Sequence, residues 1–282
     1  MSDNSSGTIA PPRGDAIAAI PWVLAGLLVL MQIAYPLTSN QVRTTLTIAT
    51  VVVFVAASCS HALIVRGARW TALYLVITVV GGWLVEVLGS RTDVPFGPYD
   101  YTDSLGLKLL GVPVVIPFAW AMMAYPSLIV GRALTRSRIA QVLIGAWALA
   151  SWDVFLDPMM VSDGHWVWQS TATAGVELPG VPGIPAQNFA GWLLVALVMM
   201  TALTSLGDGR RPRTGLWPDA QPLTLWMWTY LSSVLANAIF LGRPSVAITG
   251  AIVMGAVALP LGRRLWRARP RPSAVEPRRD LQ

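Results

Sequence analysis

Three carboxylic acids interrupt otherwise apolar runs. Glu86 lies in GGWLVEVLG, and Asp153 and Asp157 lie in ALASWDVFLDPMM. The two Asp are four residues apart, a spacing that puts both on one face of a helix. An ionisable side chain inside or at the edge of a membrane-length apolar run is costly, and its default reading is functional. A carboxyl group beside a dry pocket can serve as a proton donor or acceptor. Arg91 and Arg243 are the candidate cations that would instead hold such a group as a carboxylate. Seven tryptophans, Trp83, Trp120, Trp147, Trp152, Trp166, Trp168 and Trp192, accompany the acids along the chain. Most of them are expected to anchor an interface or fill a core. As a group they also suit a substrate that becomes transiently cationic, because aromatic faces attract cations.

Other membrane chemistries fit poorly. A retinal Schiff base needs a lysine within a span, and the single lysine, Lys108, lies in a loop. A bis-histidine haem needs two facing histidines, but His61 is near the end of one run and His165 is in a loop. Two histidines are also too few for a di-iron desaturase. A magnesium–diphosphate site needs paired Asp-rich motifs, and only DVFLD has that spacing. The single Cys59 excludes an intramolecular disulfide and a cysteine-ligated zinc. No metal and no organic cofactor is expected.

The elements that position these acids follow from composition. The 282 residues are 54% hydrophobic and 12% charged, against about 25% charged in soluble domains. Mean hydropathy is +0.57. Apolar runs of membrane-spanning length occur at 18–37, 45–65, 70–90, 112–133, 139–160, 188–206, 222–241 and 244–262. The expected fold is all-α, a polytopic integral membrane bundle of about eight transmembrane helices, multi-pass in the cell membrane. Seven spans plus a re-entrant segment is the alternative. Residues 1–17 read as a disordered cytoplasmic tail, 18–262 as one transmembrane domain, and 263–282 as a basic disordered cytoplasmic tail.

Charge orients the bundle. With eight spans, sixteen of the twenty Lys and Arg fall on the side of the termini, so the termini are expected to be cytoplasmic. The basic pI, near 10.1, then reflects topology and lipid contact, and no nucleic-acid partner is expected. Eight of the fourteen acids, from Glu86 to Glu177, collect on the other side. Asp93, Asp100, Asp103, Asp163 and Glu177 are expected to be solvated there. Gln32, Tyr35, Asn188 and Asn237 lie at the same level, whereas the cytoplasmic half offers His61, Ser58 and Ser60.

The blocks GGWLVEVLGSRTDVPFGPYDYTDSLG, GVPVVIPFAWAMMAYPSL, ASWDVFLDPMMVSDGHWVW and QNFAGW resemble the membrane-integral carotenoid hydratases, of the gamma-carotene 1',2'-hydratase and bisanhydrobacterioruberin hydratase type. The resemblance is close over about residues 80–195, and the stretch 169–187 departs from it by lacking a YFGVPLSN-like segment before NF. It implies carotenoid biosynthesis, with water added across the terminal double bond of an acyclic ψ end group (C40 or C50) to give a tertiary alcohol. The substrate would lie in the bilayer, and lipid and other carotenoid-pathway enzymes are the implied partners. On this resemblance Glu86 or Asp153 would donate the proton, and Asp157 would orient or activate water. Alternatively, the DP pair at 157–158 would be a structural stop, since proline disfavours a helical residue before it. The substrate-binding candidates are Trp83, Tyr99, Tyr101, Trp120, Trp152, Trp166, Asn188 and Trp192. VPFGPYDY would form a rigid lid, with Tyr99 and Tyr101 bonding the water or the product hydroxyl. Two other classes stay open: a proton-coupled transporter and a carotenoid-binding protein without chemistry.

Overall fold

A computed structural model describes residues 13–169, 175–209 and 217–268. Among the described residues, eight helices are long and apolar enough to cross a membrane: α1 (Ala16–Leu37), α2 (Asn40–Val65), α3 (Ala68–Thr92), α4 (Val115–Leu134), α5 (Arg138–Ser162), α6 (Ala186–Ser205), α7 (Ala220–Phe240) and α8 (Pro244–Arg267). The chain is an all-α polytopic membrane bundle, and each expected span has its helix. Within the bilayer a helix satisfies its own backbone, which is why apolar runs of this length take that form. The first helix begins at Arg13, and α8 runs past 262 to Arg267. The rest of both expected tails, and Arg210, Arg211 and Arg213, lie outside the described residues.

Helices α4 and α5 form the centre. Of their apolar windows 72% and 61% are buried, against 17% for the peripheral α1. They cross almost in backbone contact, because a Cβ on Gly131 would lie 2.5 Å from the Gln141 carbonyl oxygen. Small residues permit such approaches between membrane helices. Helix α5 packs on α4, α6 and α8, whereas α1 packs on α2 and α7. Pro158 sits inside α5, which continues to Ser162. The DP pair is therefore not a stop; the neighbouring helices hold the chain helical across it.

Two helices carry π turns, Val76–Val80 within α3 and Ala236–Phe240 at the end of α7. A π turn adds a residue to one turn and re-aims the face that follows it, often at a functional site. One of the two short ribbons also matters for the site. Strand β1 (Tyr99–Tyr101) pairs antiparallel with β4 (Trp166–Trp168), Tyr99 opposite Trp168 and Tyr101 opposite Trp166. The other joins β2 (Lys108–Leu109) to β3 (Val112–Pro113).

Candidate functional site

Residues two apart on a strand share a face. The ribbon therefore turns Tyr99, Tyr101, Trp166 and Trp168 toward the bundle, while Asp100 and Val167 are exposed. Those four aromatic side chains deliver four hydrogen-bond donors to two carboxyl groups. Tyr99 and Tyr101 donate to Glu86 Oε2 at 2.7 and 2.8 Å. Trp166 and Trp168 donate through Nε1 to Asp157 Oδ1 at 2.7 and 3.1 Å. Burial, then the neighbouring Glu86, push the Tyr99 and Tyr101 phenols up, so both keep the proton they donate. The two tyrosines thus hold a carboxyl group in place.

Each of these carboxyl groups receives a third donor. Trp120 Nε1 donates to Glu86 Oε1 at 2.8 Å. Asn188 Nδ2 donates to Asp157 Oδ2 at 2.8 Å, and also to Asp153 Oδ2 at 2.8 Å. One amide group therefore ties the two Asp together from α6, across from their own helix. Three donors fill three of the about four lone-pair sites that an acceptor-only carboxylate offers. Asp153 differs. It is 1% exposed, and its Oδ1 has no partner among the described residues. A buried polar atom without a partner is uncommon and calls for a functional explanation.

These groups line a cavity of about 160 Å³ together with Trp152, Phe155 and Trp192. An apolar cavity of about 150 Å³ holds a benzene-sized molecule, so this one has room for a short branched hydrocarbon end. One wall is aromatic. Trp120 and Trp192 stack at 3.9 Å between ring centroids, and Trp152 meets Trp192 edge-on at 6.1 Å.

Of the eleven expected site residues, ten line the cavity: Glu86, Tyr99, Tyr101, Trp120, Trp152, Asp153, Asp157, Trp166, Asn188 and Trp192. Trp83 does not. The buried face of α3 carries Gly82, Glu86 and Gly89, which leaves Trp83 on the flank, where its Nε1 donates to the Leu109 carbonyl at 3.2 Å. Trp168 belongs with the site residues, and its signal was the period-two WVW. Neither Arg91 nor Arg243 pairs with the three carboxyl groups among the described ion pairs. Asp163, expected in solvent, instead pairs with Arg43 at 3.1 Å and accepts from Tyr35. His165, fully buried under the ribbon, bonds Ser104 through Nδ1 at 2.8 Å, and burial pushes its imidazole down. The opposite end of the bundle is more polar than expected. Arg66 pairs there with Asp219 at 2.9 Å, Arg132 with Asp208 at 3.4 Å, and His61 bonds Tyr125 at 2.8 Å.

Residues 42–259 match the model of a family described as carotenoid biosynthesis protein. The chain belongs to the carotenoid biosynthesis protein family. A relative, the bisanhydrobacterioruberin hydratase of Haloarcula japonica, is 34% identical over 134 residues, which is 45% of this chain and 42% of that protein. The chain thus matches less than half the length of that relative. No solved structure matches. Membership in a carotenoid biosynthesis family accords with a multi-pass bundle whose acidic cavity is walled by indoles, since a carotenoid dissolves in the bilayer.

Proposed function

We propose that this chain is a carotenoid hydratase. It adds water across the terminal double bond of an acyclic ψ end group and yields a tertiary alcohol. One observation carries the reading. In a hydrocarbon-sized cavity, two carboxyl groups have every oxygen engaged by donors, and a third presents an oxygen without a partner. That division matches what alkene hydration needs. Asp153 is the proton donor, acting from Oδ1 on the less substituted alkene carbon. The tertiary cation that forms faces the Trp120, Trp152 and Trp192 rings. Glu86 and Asp157 act as fixed negative charges, preorganised for a cation that exists only along the reaction path. In this reading Asp157, each of whose oxygens already accepts a hydrogen bond, holds charge, where the resemblance implied that it orients or activates water.

The name of the Haloarcula relative supports the hydratase class. By the charge distribution of the loops, the site lies on the non-cytoplasmic side of the cell membrane, and the polyene extends from it into the acyl region. The test is expression in a host that makes lycopene, followed by mass spectrometry of the pigments. A gain of one or two waters with the chromophore unchanged is expected. No gain on lycopene or on a C50 acyclic polyene, with the protein folded in the membrane, would leave the carotenoid-binding reading in its place.

A further inference from the structure

The cavity has a second polar wall, which the acid group does not explain. It comes from α1, α2 and α7 and includes Gln32, Thr50, Thr229 and Asn237. Most of its polar atoms are engaged locally. Thr229 donates to the Leu225 carbonyl at 2.9 Å, and Gln32 Oε1 accepts from Trp228 at 2.7 Å. Two atoms are not engaged. Thr50 Oγ1 and Asn237 Oδ1 are buried without a partner among the described residues. With Asp153 Oδ1 they are the three such side-chain atoms on residues lining this cavity.

The placement of Asn237 is built in. It is 2% exposed and lies in the π turn at the end of α7. Its Nδ2 donates to the Ser233 carbonyl at 2.9 Å. That bond fixes the amide and leaves Oδ1, on the other branch of the same group, for another partner. A buried water takes such sites where two or more polar partners converge.

We propose that Asn237 and Thr50 hold the attacking water. This inference rests on the hydratase reading and assigns the second reactant of that reaction. Asn237 Oδ1 accepts one water hydrogen and Thr50 Oγ1 accepts the other, which leaves an oxygen lone pair for the cation. The steps balance. The Asp153 carboxyl proton adds to the less substituted alkene carbon, and the π pair forms the new C–H bond. The water lone pair then forms the C–O bond at the tertiary carbon. The oxonium loses a proton to the Asp153 carboxylate, which restores the starting acid. Neutral acceptors suit the role, because they orient water without binding its proton. If water is displaced, the cation can only return a proton to Asp153. It then re-forms the alkene or its terminal isomer.

The test uses full-length protein in membranes, lycopene and D₂O. The unaltered chain should give deuterated alcohol. Asn237→Leu, and the nearly isosteric Thr50→Val in case the first variant fails to fold, should lower hydration on the order of 10- to 100-fold. Both should still place deuterium in the recovered polyene, because Asp153 continues to protonate it. Asp153→Asn should lose both signals. Hydration at the wild-type rate in both variants would overturn the proposal, as would parallel loss of hydration and exchange. If the unaltered chain neither hydrates lycopene or a C50 acyclic polyene nor exchanges deuterium into either, the hydratase reading itself falls, and the water site with it.

Discussion

Replacing Asp153 by Asn should leave the fold intact and stop the reaction. Among the described residues Asp153 receives one hydrogen bond, from Asn188 to Oδ2 at 2.8 Å, and its Oδ1 receives none. An Asn side chain can keep an oxygen toward Asn188 and put its amide at the cavity surface. At most one hydrogen bond weakens, a change of about 1 kcal/mol. Glu86→Gln provides the contrast. Three donors converge on Glu86. The Trp120 indole cannot accept, so the remaining oxygen of Gln must face it, and both phenols must turn to accept from the new amide. With Glu86 as the carboxylate of the proposed site, three bonds to a charged acceptor become neutral ones, each weaker by about 1 kcal/mol, so Glu86→Gln should destabilise by about 3 kcal/mol. For activity the order reverses in its cause. Loss of a general acid costs about 10²- to 10⁴-fold, or about 3–5 kcal/mol of barrier. The assay pairs thermal unfolding in detergent with pigment mass spectrometry from a lycopene-producing host. Asp153→Asn should unfold within a few degrees of the parent and yield only unhydrated polyene. Hydration within tenfold of the parent, or greater destabilisation by Asp153→Asn than by Glu86→Gln, would refute the division of roles.

Three further outcomes follow from the same geometry. Asn188→Leu removes the amide shared by Asp153 and Asp157 and should destabilise by about 2–5 kcal/mol, as loss of a buried partner to charge does; a denaturation midpoint checks it. Gly82→Ala puts a Cβ 3.0–3.2 Å from the Trp120 ring and should displace that indole from Glu86 and Trp192, at about 1–3 kcal/mol of overpacking, with hydration reduced in the pigment assay. Trp83→Phe should leave hydration unchanged in that assay, whereas Trp120→Phe, which removes a donor from Glu86, should reduce it.

Hydropathy and charge are written along the chain, so the bundle was legible from them. The sixth span was expected at 188–206 and is found at Ala186–Ser205; the seventh, expected at 222–241, is Ala220–Phe240. The acids were legible as a group for the same reason: helix direction and length place Glu86, Asp153 and Asp157 at one level. Their division of labour was not legible. It depends on β1 meeting β4 across more than sixty residues of sequence, and no local pattern encodes which oxygen a distant indole will reach. Only the alternation in YDY and WVW hinted that four aromatic donors would share a face. Thr50, inside TTLTIATVVV, reads as β-branched filler, because its significance is a missing partner rather than a residue type. The alternative reading of the Asp-Pro pair as a stop failed for a related reason: local backbone preference was overridden by the packing of α5 among its neighbours.

The engagement of Glu86 and Asp157 bears on why a hydratase would carry three carboxyl groups. A tertiary cation in a dry cavity is stabilised by any nearby negative charge, but a carboxylate with free lone pairs is also a base that can remove a methyl proton and return an alkene. Six donor contacts, four of them from one ribbon, take six of the eight lone-pair sites on the oxygens of Glu86 and Asp157 and lower their basicity. In the proposed reaction these two groups attract the cation without deprotonating it. Asp153, whose Oδ1 accepts no bond among the described residues, is the group best able to take a proton back, so the outcome turns on whether water reaches the cation before that return. The Asn237–Thr50 wall places the water within the same cavity before the proton moves, which favours capture. The arrangement thus separates three tasks that a single carboxylate would confuse: giving the proton, holding the charge and delivering the oxygen.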